Sequence, residues 1–241
     1  MRKQTTLMMA LVTACVLFPG SGQAQTFDPV AFCLSSGMNP IIGTSNDDVL
    51  TGTSGADCIV GLGGNDIINS GDGADLVFGG DGDDRITSTG RFSELHGDAG
   101  QDTITAFASA RLLGGDGDDR LIGSNEGDFL AGGQGQDQLF GNGGNDTIFG
   151  QEGDDRIFGG DGNDSLFGGE GNDFVSGDAG NDTVNGEVGD DTNLGGAGDD
   201  NILDCVGHNT IDGGAGTDLC QFNPTQSSAV QCENIQTAIC S

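Results

Sequence analysis

The chain of 241 residues carries 47 glycines and 13 phenylalanines but no tryptophan or tyrosine, a composition that excludes an ordinary aromatic-rich core. Its 38 acidic residues against 7 basic ones give a net charge of -31, which disfavours nucleic acid and anionic membrane surfaces, since both are drawn to basic patches. Cations are the natural partners of such a chain, unless high charge and few aromatics simply leave it disordered.

At the N-terminus, Arg2 and Lys3 precede an apolar run from Leu7 to Phe18, then Pro19 and the small-residue exit Gly22-Gln23-Ala24. This order reads as a secretory signal peptide over residues 1–24, with cleavage after Ala24. Two rivals exist. Val12-Thr13-Ala14-Cys15 resembles a lipobox, although Cys15 lies inside the apolar run, and a membrane anchor needs a longer apolar segment. The expected residence is therefore extracellular or periplasmic, with a lipoprotein anchored at Cys15 as the minor alternative.

Residues 25–42 lack any repeat and read as an N-terminal cap. Beyond the leader six cysteines remain, Cys33, Cys58, Cys205, Cys220, Cys232 and Cys240, and an even number in an exported chain implies disulfides. They cluster near the two ends, so they read as end staples, with the expected pairs Cys33–Cys58, Cys220–Cys232 and Cys205–Cys240. A zinc site is the competing use, but there is no CxxC pair, and His96 and His208 stand apart.

From Gly43 to Gln221 the chain keeps a nine-residue frame, written from Gly159 as Gly-Gly-Asp-Gly-Asn-Asp-Ser-Leu-Phe. The sixth position holds Asp48, Asp57, Asp66, Asp75, Asp84, Asp102, Asp119, Asp128, Asp137, Asp146, Asp155, Asp164, Asp173, Asp182, Asp191, Asp200 and Asp218. The eighth is almost always aliphatic, from Leu50 and Ile59 through Leu166 to Ile211. Each unit thus joins a six-residue glycine-rich turn to a three-residue strand whose central side chain points inward. Two units make one coil of 18 residues, and about ten coils stacked about 4.8 Å apart give a rod on the order of 45 to 50 Å long. The core of such a rod is one side chain deep from each sheet. At roughly 1.5–3 kcal/mol per buried aliphatic side chain it does not offset so many glycines, each of which loses more backbone freedom than other residues.

The frame resembles the GGxGxDxUx nonapeptide of the RTX, or haemolysin-type, calcium-binding family. That resemblance covers residues 43–221 and implies an all-β parallel β-roll, a solenoid of two units per coil. It also implies calcium between the turns of adjacent coils, held by the sixth-position aspartates and turn carbonyls. Calcium chemistry agrees, since the ion takes 6 to 8 oxygens at about 2.3–2.6 Å. Asn-Asp and Gly-Asp also form turns without metal, but stacked carboxylates about 5 Å apart repel strongly without a counter-ion.

Alternate units share an edge, so the turns sort into two columns, one starting at Gly43 and one at Gly52. Ser93 replaces aspartate in Ser88–His96, and Ala106–Leu113 is one residue short with no acid, so the second column is expected to lose its ions over about two coils. In the first column Asn209 stands where aspartate belongs. Counting neighbouring aspartates on one edge gives an upper estimate of about fourteen calcium ions. Arg91 and Arg111 lie in the broken units, either standing in for ions or simply solvated. Phe78, Phe140, Phe149, Phe158 and Phe167 occupy outward ninth positions, either as a partner surface or as cover for the sheet. Residues 222–241 again lack the repeat and read as a C-terminal cap.

No HExxH, GxSxG or Walker motif is present, so no enzyme is expected. The reading is an exported calcium-binding repeat protein that folds as it binds multiple ions. The alternatives are an extracellular adhesion, matrix or self-association module using the phenylalanines, an ice-binding solenoid, and the cast-off domain of an enzyme. The leader and cysteines depart from the cysteine-poor type I secretion substrates of the family.

Overall fold

The computed structural model describes residues 27–222, 228–232 and 234–237. The expected leader at 1–24, Cys15 and Cys240 lie outside the described residues. Strands alternate between two parallel sheets, one of 12 strands and one of 11, and each strand pairs with the strand two further along the chain. Arg156 therefore lies beside Phe174, and Ser165 beside Thr183, at the 18-residue shift expected of two units per coil. The short unit shifts the register locally to 17, as in Glu94 beside Arg111 and Thr103 beside Arg120, while pairing continues on both sides.

The strands are longer than the expected three residues. Arg156–Asp161 and Ser165–Glu170 each run six residues, because the second and third positions of the following turn also pair with the next coil. Val49–Thr51 and Arg120–Ile122 do stop at three, each just before a unit whose second residue is Thr53 or Ser124 in place of glycine.

Eighth-position side chains from both sheets form one continuous core, from Ile59 and Ile68 to Ile202, Ile211 and Cys220, all 0% exposed. Asn193 is the polar exception at this position and is equally buried.

The N-terminal segment does more than close an end. Asp28 caps helix α1 (Pro29–Ser36) by accepting the Ala31 amide at 3.0 Å, Pro29 occupies its first turn, and Gly37 at φ 81° ends it. The helix buries Cys33 against Cys58, Val60, Leu76 and Phe78, which are outward positions of the first sheet. Asn39–Ile42 then pairs with 57–60 as the first strand of that sheet. At the other end Ser228–Val230 and Asn234–Thr237 extend the two sheets beyond the last repeat unit. The Cys33–Cys58 and Cys220–Cys232 disulfides are formed as expected. Cys205 is disulfide-bonded too, and its expected partner Cys240 lies outside the described residues.

The ninth-position phenylalanines do not make one surface. Phe140 stacks on Phe158 at 5.3 Å in one sheet, and Phe149 on Phe167 at 4.9 Å in the other, because successive units alternate between sheets. Arg120 covers Phe140 and Arg111 covers Phe129, while Phe78 is buried beneath α1.

Since one file of side chains joins the sheets, Ile157→Ala is expected to lower the stability of the folded roll by about 2–4 kcal/mol. Denaturant titration reads this, and a loss below about 1 kcal/mol would show that the file contributes little.

Candidate metal centre

Most turns are shaped by left-handed backbone that glycine adopts easily. In the unit from Gly159, Gly160 and Gly162 have φ of 103° and 147°. Gly159 is constrained differently: a β-carbon there would stand 2.4 Å from Asp164 Oδ2 and 2.8 Å from the carbonyl oxygen of Gly177 in the next coil. The missing side chain leaves a cradle lined by a carboxylate oxygen and a carbonyl oxygen. The same pair of oxygens recurs at Gly61, Gly97, Gly114, Gly141 and Gly177.

The sixth-position aspartates from Asp57 to Asp218 are at most 6% exposed, and Asp48, at the open end, is half-buried. Their two oxygens have separate roles. Oδ1 accepts the backbone N–H of the sixth residue one coil earlier, as from Asp146 to Asp164 and from Asp164 to Asp182, both at 2.8 Å. Oδ2 is buried and accepts no hydrogen bond in the sixth-position aspartates from Asp66 to Asp200, Asp128 excepted. A buried carboxylate oxygen with no donor strongly disfavours the charged form. Burial, reinforced by neighbouring carboxylates and opposed by the amide bond, accordingly pushes Asp102 to about 7, and Asp119 and Asp155 to about 8.

Asp48, Asp57 and Asp128 are satisfied internally. Oδ2 of each accepts the backbone N–H at 2.6 Å and the side-chain hydroxyl of Thr44, Thr53 or Ser124, the second residue of its own unit. The sequence carries this signal as a hydroxyl residue after the first glycine, which the repeat frame alone does not single out.

The break in the second column lies where expected. Ser93 accepts the Asp75 amide at 3.2 Å and bonds the Ser88 hydroxyl at 3.1 Å, so hydroxyls take over the carboxylate's place. Ala110 donates its amide to Asp128 Oδ1. Neither arginine enters a cradle: Arg91 reaches across the short unit to Glu126 on the surface, and Arg111 lies over Phe129.

A second ladder runs along the fifth positions in the opposite sense. Here the side-chain oxygen accepts the N–H one coil later, as from Asn181 to Asn163 at 2.8 Å and from Asp199 to Asn181 at 2.9 Å. The fifth-position oxygens are thus hydrogen-bonded, and the donor-free oxygens belong to the sixth position. Among the described residues no three His, Cys, Asp or Glu side chains converge as a ready-made metal cage, and the oxygens beside most of the carboxylates come from the backbone. Such a mixed carboxylate and carbonyl set suits a hard cation. No helix among the described residues is long and apolar enough to cross a membrane.

A family model described as RTX calcium-binding nonapeptide repeat matches the chain in overlapping stretches, from 35–68 to 78–106 and from 113–148 to 194–220. The unmatched interval falls within the short unit. No curated protein matches the chain.

The raised pKa values set the sign of the pH dependence when no ion is bound. Carboxyls whose folded pKa lies above the ordinary value stabilise the roll while protonated, and that stability is lost as pH rises through their folded values. In excess chelator the melting temperature is expected to fall between about pH 5 and about pH 8, and saturating calcium is expected to abolish the fall. Thermal melts followed by circular dichroism check this, and a chelated protein more stable at the higher pH would contradict it.

Proposed function

Because the chain belongs to the RTX calcium-binding nonapeptide repeat family, we propose that the sixth-position aspartates hold calcium between successive coils and that ion binding makes this exported protein rigid. The observation that carries the reading is the row of buried Oδ2 atoms without donors, most of them facing a carbonyl of the next coil across a glycine cradle. When bound, calcium supplies the positive charge that lets neighbouring carboxylates stay ionised side by side. The chain's own groups do the rest: Oδ1 ties each turn to the coil before it, and the glycines keep the slot open.

Three aspartates stand outside this role. The hydroxyl caps on Asp48, Asp57 and Asp128 reduce the upper count from about fourteen to about eleven ions. Residence outside the cytosol rests on the leader-like N-terminus together with the disulfides, which persist in oxidising compartments. The function proposed is ion-dependent structure rather than catalysis. Adhesion through a phenylalanine face is less well supported, since the stacked rings are half-buried and divided between two sheets.

Two outcomes follow. Hydrogen exchange of the full chain is expected to show protection over residues 132–200 with calcium and its loss in excess EGTA, because binding energy is folding energy where no site exists in the unfolded chain. Protection unchanged by EGTA would end the proposal. Ser124→Gly, which restores the glycine of the repeat, is expected to add one bound ion by equilibrium dialysis, and an unchanged count would show that the hydroxyl cap does not exclude calcium.

A further inference from the structure

Near the end of the first column three residues leave the repeat together. Asp204 replaces a first-position glycine, Asn193 replaces an eighth-position aliphatic residue, and Asn209 replaces a sixth-position aspartate. The structure connects them. Asn209 Oδ1 still accepts the Asp191 amide at 2.9 Å, so it keeps the hydrogen-bonding role of the sixth position while losing its charge. The Asp204 carboxylate, 0% exposed, replaces that charge from another direction. Its Oδ2 stands 2.5 Å from the point where a β-carbon on Gly186 would lie, the same distance as Asp191 Oδ2.

Elsewhere that point is flanked by one carboxylate oxygen and one carbonyl oxygen, and here by two carboxylates. Asn193 holds the arrangement in place, because its Nδ2 donates to Asp204 Oδ2 at 2.6 Å from within the core. A buried amide in a file of aliphatic side chains is unfavourable unless it is bonded, which explains why Asn193 and Asp204 occur together. Two further atoms lack partners: Asp191 Oδ2, beside the cradle, and Asn193 Oδ1, on the residue that holds Asp204.

We infer that Asp191 and Asp204, positioned by Asn193, form an additional cation site that continues the first column past its missing aspartate. The inference rests on the calcium reading of the roll. Its ligand is a hard divalent cation with the oxygen distances of calcium, about 2.3–2.6 Å, and both carboxylate oxygens lie within reach of one such ion. The negative charge has moved from the sixth position of one unit to the first, and the slot keeps the two carboxylates that an aspartate at 209 would have supplied.

Ion counting by native mass spectrometry of the full chain at saturating calcium tests this. The double variant Asp204→Gly with Asn193→Ile restores the repeat at both positions and is expected to bind one ion fewer than the parent. Adding Asn209→Asp to that double variant is expected to return the count to the parent value. An unchanged count in the double variant, as when the two carboxylates merely share a proton, overturns the inference, and so does a triple variant that fails to recover the ion. A parent chain that binds no calcium would instead overturn the reading of the whole roll, so the two failures are distinguishable.

Discussion

A carboxylate oxygen buried without a hydrogen-bond donor must take up a proton or meet a cation, and this protein repeats that predicament along both edges of its roll. The other properties of the fold follow from it. Glycine serves at the first position of most units because a side chain there would enter the space between carboxylate and carbonyl, Ser70, Ser88, Ala106 and Asp204 being the departures. The core is narrow, one side chain deep from each sheet, and its eighth-position aliphatics join the two sheets.

The roll is not uniform in how its buried carboxylates are satisfied. At its start Thr44 and Thr53 supply donors to Asp48 and Asp57, α1 lies on the outer face of the first sheet, and Cys33–Cys58 fastens it there. In the middle of the second column Ser88, Ser93, Ala110 and Ser124 make a stretch satisfied by hydroxyls and amides. These regions divide a chain of nearly identical units into parts whose carboxylates lack donors and parts that carry their own, and single hydroxyl residues at the second position set the division.

The fifth and sixth positions separate two properties that the dipeptide Asn-Asp combines. The fifth position ties its turn to the next one, its side-chain oxygens accepting the backbone N–H one coil later. The sixth bonds backward through one oxygen and leaves the other without a donor.

The nine-residue spacing by itself determined the two sheets, the 18-residue coil, the buried file of eighth positions and the column in which Ser93 and the short unit interrupt the carboxylates. It did so because every one of these follows from which residues recur at a fixed interval. The near-terminal cysteines likewise indicated the two pairs now seen. Only the tertiary structure decided what depends on which atoms face each other between coils. The caps from Thr44, Thr53 and Ser124, the bond from Asn193 to Asp204, the extension of strands into the turns, and the division of the phenylalanines between opposite faces all belong to that group. A period specifies neighbours along a column, but the direction of a side chain within its coil is set by the backbone around it and by the residues it meets there.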